Sequence, residues 1–113
     1  AVEPPAGEQV QGLRSLDDGF VPPIFDSSLI DRRMIVRPRE SVEWLRILLN
    51  KTGIFSGISC GAAVAGAVKV AERMESGTIV VVLPDGGWKY LSSGAWTDDL
   101  DVVVDRATRI NYW

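Results

Sequence analysis

Apolar and polar positions along this chain follow several rhythms. From Glu40 to Lys51 the apolar residues Val42, Leu45, Leu48 and Leu49 recur at helical spacing around Glu43 and Arg46, which predicts an amphipathic helix. Gly53 follows where a helix end favours a residue able to take positive φ. A second helix is predicted over 62–75. It is almost entirely Ala, Val and Gly, its polar Lys69, Glu72 and Arg73 fall on one stripe, and Gly77 is its expected stop. Small side chains on the other faces let such a helix lie close to a neighbouring layer. Thr78-Ile79-Val80-Val81-Val82-Leu83 is apolar without alternation, the pattern of a strand covered on both faces by helices. Helix, glycine stop and buried strand together predict α/β packing. Pro84-Asp85-Gly86-Gly87 then turns out at the carboxyl end of that strand, the edge where open α/β sheets hold ligands.

The remaining segments are shorter. Residues 1–8 carry prolines and a glycine without periodicity and read as an extended or mobile stretch rather than an element. Residues 9–20 alternate briefly, then break at Gly12 and again at Asp17-Asp18-Gly19, as a strand running into a loop does. Pro22-Pro23 blocks a helix, and Met34-Ile35-Val36 is a brief β-branched run ended by Pro38. In the tail from Asp98, Val102-Val103-Val104 fits a strand or a helix. No repeat and no low-complexity tract is visible.

Composition narrows the chemistry. With 113 residues, 46% hydrophobic, the chain can bury a core but is short for a doubly wound α/β enzyme, so it reads as one domain or part of one. It holds no His, so an imidazole base or a His-built zinc site would have to come from another chain, and no metal site is expected. A net charge of -3, with Lys and Arg scattered, removes the electrostatic term that drives non-specific nucleic-acid binding. No apolar run is long enough to cross a bilayer. The lone Cys60 and an N-terminus without a signal-peptide pattern point to a reducing cytoplasm.

Gly57-Ile58-Ser59-Cys60-Gly61 matches Gly-x-Ser-x-Gly, the turn on which a serine hydrolase presents its nucleophile. That chemistry needs a base, and Lys51, Lys69 and Lys89 carry no signature for the role. Two other readings stay open at this point: the amides of the helix start hold an anion, or Ser59 caps the helix.

The surrounding residues add context. Gly-Ile-Ser-Cys-Gly-Ala-Ala-Val-Ala-Gly-Ala at 57–67 closely resembles a segment of cysteine synthases, pyridoxal-phosphate enzymes of the β family. Val10-Gln11-Gly12-Leu13, Gly19-Phe20-Val21-Pro22-Pro23 and the stretch from Val82 to Ser93 are similar to other blocks of that family, in its order and at about its spacing. The resemblance, running from Val10 to about Trp96, implies the C-terminal third of a larger enzyme: part of an α/β large domain whose helices pack on a mostly parallel sheet. It implies that Ser59 donates a hydrogen bond to the pyridine nitrogen of pyridoxal phosphate, that Pro84 and Asp85 lie beside the ring, and that Gly12 passes close to the bound amino acid. A neutral hydroxyl leaves the ring less electron-withdrawing than a carboxylate would, which suits loss of a good β leaving group.

The family's Ser-x-Lys block and Gly/Thr-rich phosphate loop are not found in these residues, so no catalytic residue is assigned here and this segment alone is expected to be inactive. The resemblance implies replacement of the β-substituent of an activated serine, O-phosphoserine or O-acetylserine, by a sulfur nucleophile through an aminoacrylate. The partners it implies are the remainder of the enzyme, a small amino-acid substrate, a sulfur donor and a second copy in a homodimer, with no nucleic acid and no membrane. Cystathionine β-synthase and serine dehydratase relatives share the scaffold; a non-catalytic interaction module is the alternative of another class. Arg14 stands two residues past Gly12 in a loop longer than that of the common acetylserine users. It is expected either to grip a phosphate leaving group or to pair on the surface with Asp17 or Asp18. Cys60 is expected to be an inert small hydrophobe, and Trp44, Trp88, Trp96 and Trp113 to be packing or subunit-contact residues.

Overall fold

A computed structural model describes residues 1–109, with side chains through Ala107; Trp113 lies outside the described residues. Three α-helices pack around a small core beside a parallel pair of strands: β1 (Val2–Glu3), β2 (Met34–Ile35), α1 (Pro38–Thr52), α2 (Ile58–Ala71) and α3 (Leu100–Arg109). Val2 pairs with Met34 and Glu3 with Ile35.

Helix α1 begins two residues before its predicted start because Pro38 suits the first helical position, while the Glu40 side chain accepts a hydrogen bond from the Arg37 amide at 2.9 Å. Gly53 ends it at φ 73°, as expected. Val42 and Leu45 are buried and Leu48 and Leu49 half-buried, so the predicted stripe faces inward. Arg46 leaves the solvent and donates to the carbonyls of Ala95 and Asp98, both at 2.6 Å, tying the loop before α3 to α1.

Helices α1 and α2 pack in close contact at Gly61. A Cβ built on Gly61 would lie 2.0 Å from the Ser41 carbonyl oxygen and 2.9 Å from Leu45 Cβ. The Ser41 hydroxyl donates to the Ile58 carbonyl at 2.7 Å, a further bond across the same contact. The core closes around it with Val36, Ala62, Ala65, Ala95 and Val103.

Four expectations are corrected. Helix α2 starts at Ile58 and ends at Ala71, earlier at both ends than predicted, so Gly77 is not its stop. Residues 71–80 are exposed, and a final turn with nothing to pack against gains too little to continue. Residues 78–83 form no ladder, and Val80 and Val82 are 87% and 75% exposed, because among the described residues no strand lies alongside and no helix covers their outer face. Residues 9–20 make no strand: Gly12, at φ 87°, turns the chain so that Leu13 bonds back to the Val10 carbonyl at 2.9 Å. The N-terminal stretch does supply an element, β1, whose buried Glu3 accepts hydrogen bonds from the Leu16 amide and Arg33. The ambiguous tail is helical; α3 turns Val103 into the core.

Candidate functional site

The start of α2 is built around Gly57. A Cβ there would lie 1.9 Å from Asp85 Oδ1, so only glycine allows the strand-end loop to close on this turn. The Gly57 amide donates to the Asp85 carbonyl at 3.1 Å and the Gly87 amide to the Phe55 carbonyl at 3.2 Å, which hooks residues 55–57 to residues 85–87. The N-cap of α2 is Gly57 and no side chain caps it, so Ser59 is not the helix cap.

Ser59 is 7% exposed, and its hydroxyl makes no hydrogen bond to the described residues. It opens into a largely apolar cavity of about 410 Å³ whose walls near it include Leu13 and Pro84. Gly12 abuts it from the other side: a Cβ on Gly12 would come within 3.3 Å of both Ser59 Cβ and Oγ. The fold thus brings Ser59, Pro84 and Gly12 together from three separate segments.

Asp85 is placed differently. Its carboxylate accepts from the Tyr90 hydroxyl at 2.6 Å and pairs with Lys89 at 3.1 Å, while Cys60 Sγ lies 3.7 Å from its other oxygen. Burial pushes the Asp85 carboxyl upward, but these hydrogen bonds and the Lys89 charge outweigh burial and hold it below the ordinary carboxylate range. Burial and the same Asp85 push Tyr90 up to about 12. Asp85 therefore clasps the turn under Ser59 and does not line the cavity. Cys60 is fully buried.

Arg14 is exposed, with its guanidinium 5.3 Å from the centre of the Phe20 ring, and it lines a hollow of its own with Glu8 and Asp18. That hollow is separate from the one at Ser59. Of the lysines, Lys69 bonds the Ile35 carbonyl and Glu40, both at 2.8 Å, and Lys89 holds Asp85. Trp96 packs on the core with its ring 4.7 Å from Phe55, Trp44 packs there too, and Trp88 is exposed. Sequence reasoning missed Leu13 in the cavity wall and the Asp85–Lys89–Tyr90 clasp. The clasp had a readable signal in opposite charges four residues apart in a short helical turn. Among the described residues no helix is long and apolar enough to cross a membrane.

This donor set suits a pyridine ring. The one side chain free to meet a ring nitrogen in the apolar cavity is a neutral hydroxyl, and the nearby carboxylate is engaged elsewhere. Comparison with known proteins places the chain among its relatives. No family model matches the chain. It is 34% identical to cysteine synthase B of Escherichia coli over 98 residues, 87% of this chain and 32% of that protein. It superposes on the cysteine synthase of Entamoeba histolytica with a TM-score of 0.76 at 25% identity, covering 99% of this chain and 37% of the other. On an O-ureido-L-serine synthase the TM-score is 0.73 at 37% identity, covering 85% and 33%. The chain spans about a third of the length of the curated relatives it matches. On sequence and fold together, most of this chain is a segment homologous to the cysteine synthases.

Proposed function

We propose that the chain supplies the ring-binding part of a pyridoxal-phosphate-dependent cysteine synthase, which exchanges the β-substituent of an activated serine for sulfide. The observation that carries this reading is the hydroxyl of Ser59, which has no hydrogen bond to the described residues, opens into an apolar cavity shared with Leu13 and Pro84, and has Gly12 packed against it. Bound there, the cofactor would act as the electron sink that lets the β-substituent leave the amino acid. Ser59 would donate one hydrogen bond to the ring nitrogen without protonating it. Leu13 and Pro84 would give the ring apolar surroundings, in which that bond is stronger than in water. Gly12, with no side chain, leaves room for the bound amino acid near Ser59. The Asp85–Tyr90–Lys89 clasp holds the turn that aims the hydroxyl. A cytoplasmic homodimer belongs to the same reading.

The test supplies the remaining two thirds of Escherichia coli cysteine synthase B as a separate chain, with pyridoxal phosphate, O-acetylserine and sulfide. Cysteine should form only when both chains are present. Ser59→Ala should retain the cofactor's visible absorbance but lower turnover at least tenfold, as expected for losing a hydrogen bond of about 1.5 kcal/mol. Absence of cofactor-dependent turnover, or an unchanged rate in Ser59→Ala, would refute the proposal.

A further inference from the structure

The turn that presents Ser59 is braced by a cation on α1. Residues 55–57 and 85–87 are joined by the two amide bonds of the hook, with Ser56 bridging to Gly86 between them. Phe55 grips this junction twice. Its carbonyl accepts the Gly87 amide at 3.2 Å, and its ring lies so close that a Cβ on Gly87 would be 2.7 Å from Phe55 Cε2. Trp96 supports that ring, with 4.7 Å between centroids and the planes tilted by 50°. No hydrogen bond of its own fixes Trp96 there. Among the described residues Trp96 Nε1 is buried without a partner, and so is Ser56 Oγ, so both side chains are held by packing and by their backbone.

The backbone on either side of Trp96 is what Arg46 holds. Its Nε donates to the Ala95 carbonyl and its Nη2 to the Asp98 carbonyl, both at 2.6 Å. A planar guanidinium makes the two bonds in one fixed orientation, which an ammonium on a flexible stem does not. Arg39, one helical turn and a half earlier on α1, pairs instead with Glu43 and with Asp101 of α3. We propose that Arg46 is a positioning residue for Ser59: it fixes residues 95–98, seats Trp96 on Phe55, and so keeps closed the hook from which α2 presents the Ser59 hydroxyl. Ser59 stands two residues past Gly57, so opening the hook displaces it. The role of that hydroxyl rests on the cysteine synthase reading above, whereas the brace rests on contacts within the described residues.

Amide hydrogen exchange followed by nuclear magnetic resonance on the 113-residue chain tests the brace, and turnover of the assembled enzyme tests its use. In Arg46→Ala the Gly57 and Gly87 amides should exchange at least tenfold faster than in the parent. In Arg39→Ala, which removes an exposed pair between α1 and α3, they should not change. Mixed with the remaining two thirds of Escherichia coli cysteine synthase B and pyridoxal phosphate, Arg46→Ala should lower kcat by roughly ten- to a hundredfold. The KM for O-acetylserine and the cofactor's absorbance should be kept, the split expected when a group is misplaced rather than lost. If Arg46→Ala does not fold, Arg46→Lys, which keeps the charge and the apolar stem but not the paired bonds, replaces it with the same direction of change. Parent-like exchange at Gly57 and Gly87, equal loosening in Arg39→Ala, or an unchanged kcat in an assembly where Ser59→Ala does slow turnover would overturn the inference. Loosened amides in a chain whose assembly forms no cysteine would leave Arg46 as the brace of the hook and remove the enzymatic reading.

Discussion

Substituting Ala for Gly61 sets two effects of known size against each other. Gly61 is an interior residue of α2, where helix propensity alone favours Ala by about 1 kcal/mol. Its position opposes that gain. The new Cβ would lie 2.0 Å from the Ser41 carbonyl oxygen, a backbone atom that cannot rotate away, so the contact must open by about 1 Å to reach the 3.0 Å below which real Cβ atoms essentially never come. Opening it lengthens the bond from the Ser41 hydroxyl to the Ile58 carbonyl and loosens Leu45 and Val42 against Ala62 and Ala65. A gap of that size forfeits roughly a quarter to a half of each affected dispersion contact. Overpacking of this kind costs about 3 kcal/mol at its upper end, so the net destabilisation should be about 2 kcal/mol. For a domain of this size, the midpoint of thermal unfolding followed by circular dichroism should fall by roughly 6–12 °C. Gly53→Ala provides the contrast. It has no atom within 4 Å of the new Cβ and loses only the left-handed preference, about 1 kcal/mol. A Gly61→Ala variant as stable as the parent, or less affected than Gly53→Ala, would refute the close helix contact as the organising feature of this core.

Two further outcomes follow from the clasp and the loop. Because Tyr90 is pushed up to about 12, its contribution to stability should be whole below pH 10 and lost as the pH rises through 12; in Asp85→Asn an ultraviolet titration should show its midpoint moving back toward 10. The depressed Asp85 acts at the other end: its contribution is present above the ordinary Asp value of 3.8 and disappears as acid titrates it, so Tyr90→Phe should flatten acid unfolding there, and an unchanged acid limb would remove the clasp. If Arg14 reads the leaving group, Arg14→Ala in the assembled enzyme should lower kcat/KM for O-phosphoserine by about ten- to a hundredfold while sparing O-acetylserine; equal losses would assign it to supporting the loop through Phe20.

What could be read in the sequence was what local rules decide. The stripe of α1, its Gly53 stop and the small-residue helix α2 were legible because each depends on side-chain spacing and on the φ available to glycine. Segments far apart in the chain meet at Ser59: Gly12 packs against it and Pro84 lines the cavity it opens into. The strand at 78–83 was misread for a physical reason: its residues are those of a buried strand, but ladder partners are long-range and none stands beside it here. The Asp85–Lys89 pair was readable as opposite charges four residues apart, but the bond from the Tyr90 hydroxyl to Asp85 depends on a side-chain conformation that no periodicity marks. Arg14 was placed near Gly12 by sequence distance, whereas the turn at Gly12 sends the two toward different hollows.

The central claim is that Ser59 is the group that meets the cofactor ring. The most direct measurement is a crystal structure of the chain assembled with the remaining two thirds of Escherichia coli cysteine synthase B and pyridoxal phosphate. Ser59 Oγ should lie within about 2.7–3.2 Å of the pyridine nitrogen, with Asp85 still bonded to Tyr90. A ring nitrogen facing Asp85, or a ring bound away from Ser59 altogether, would contradict it.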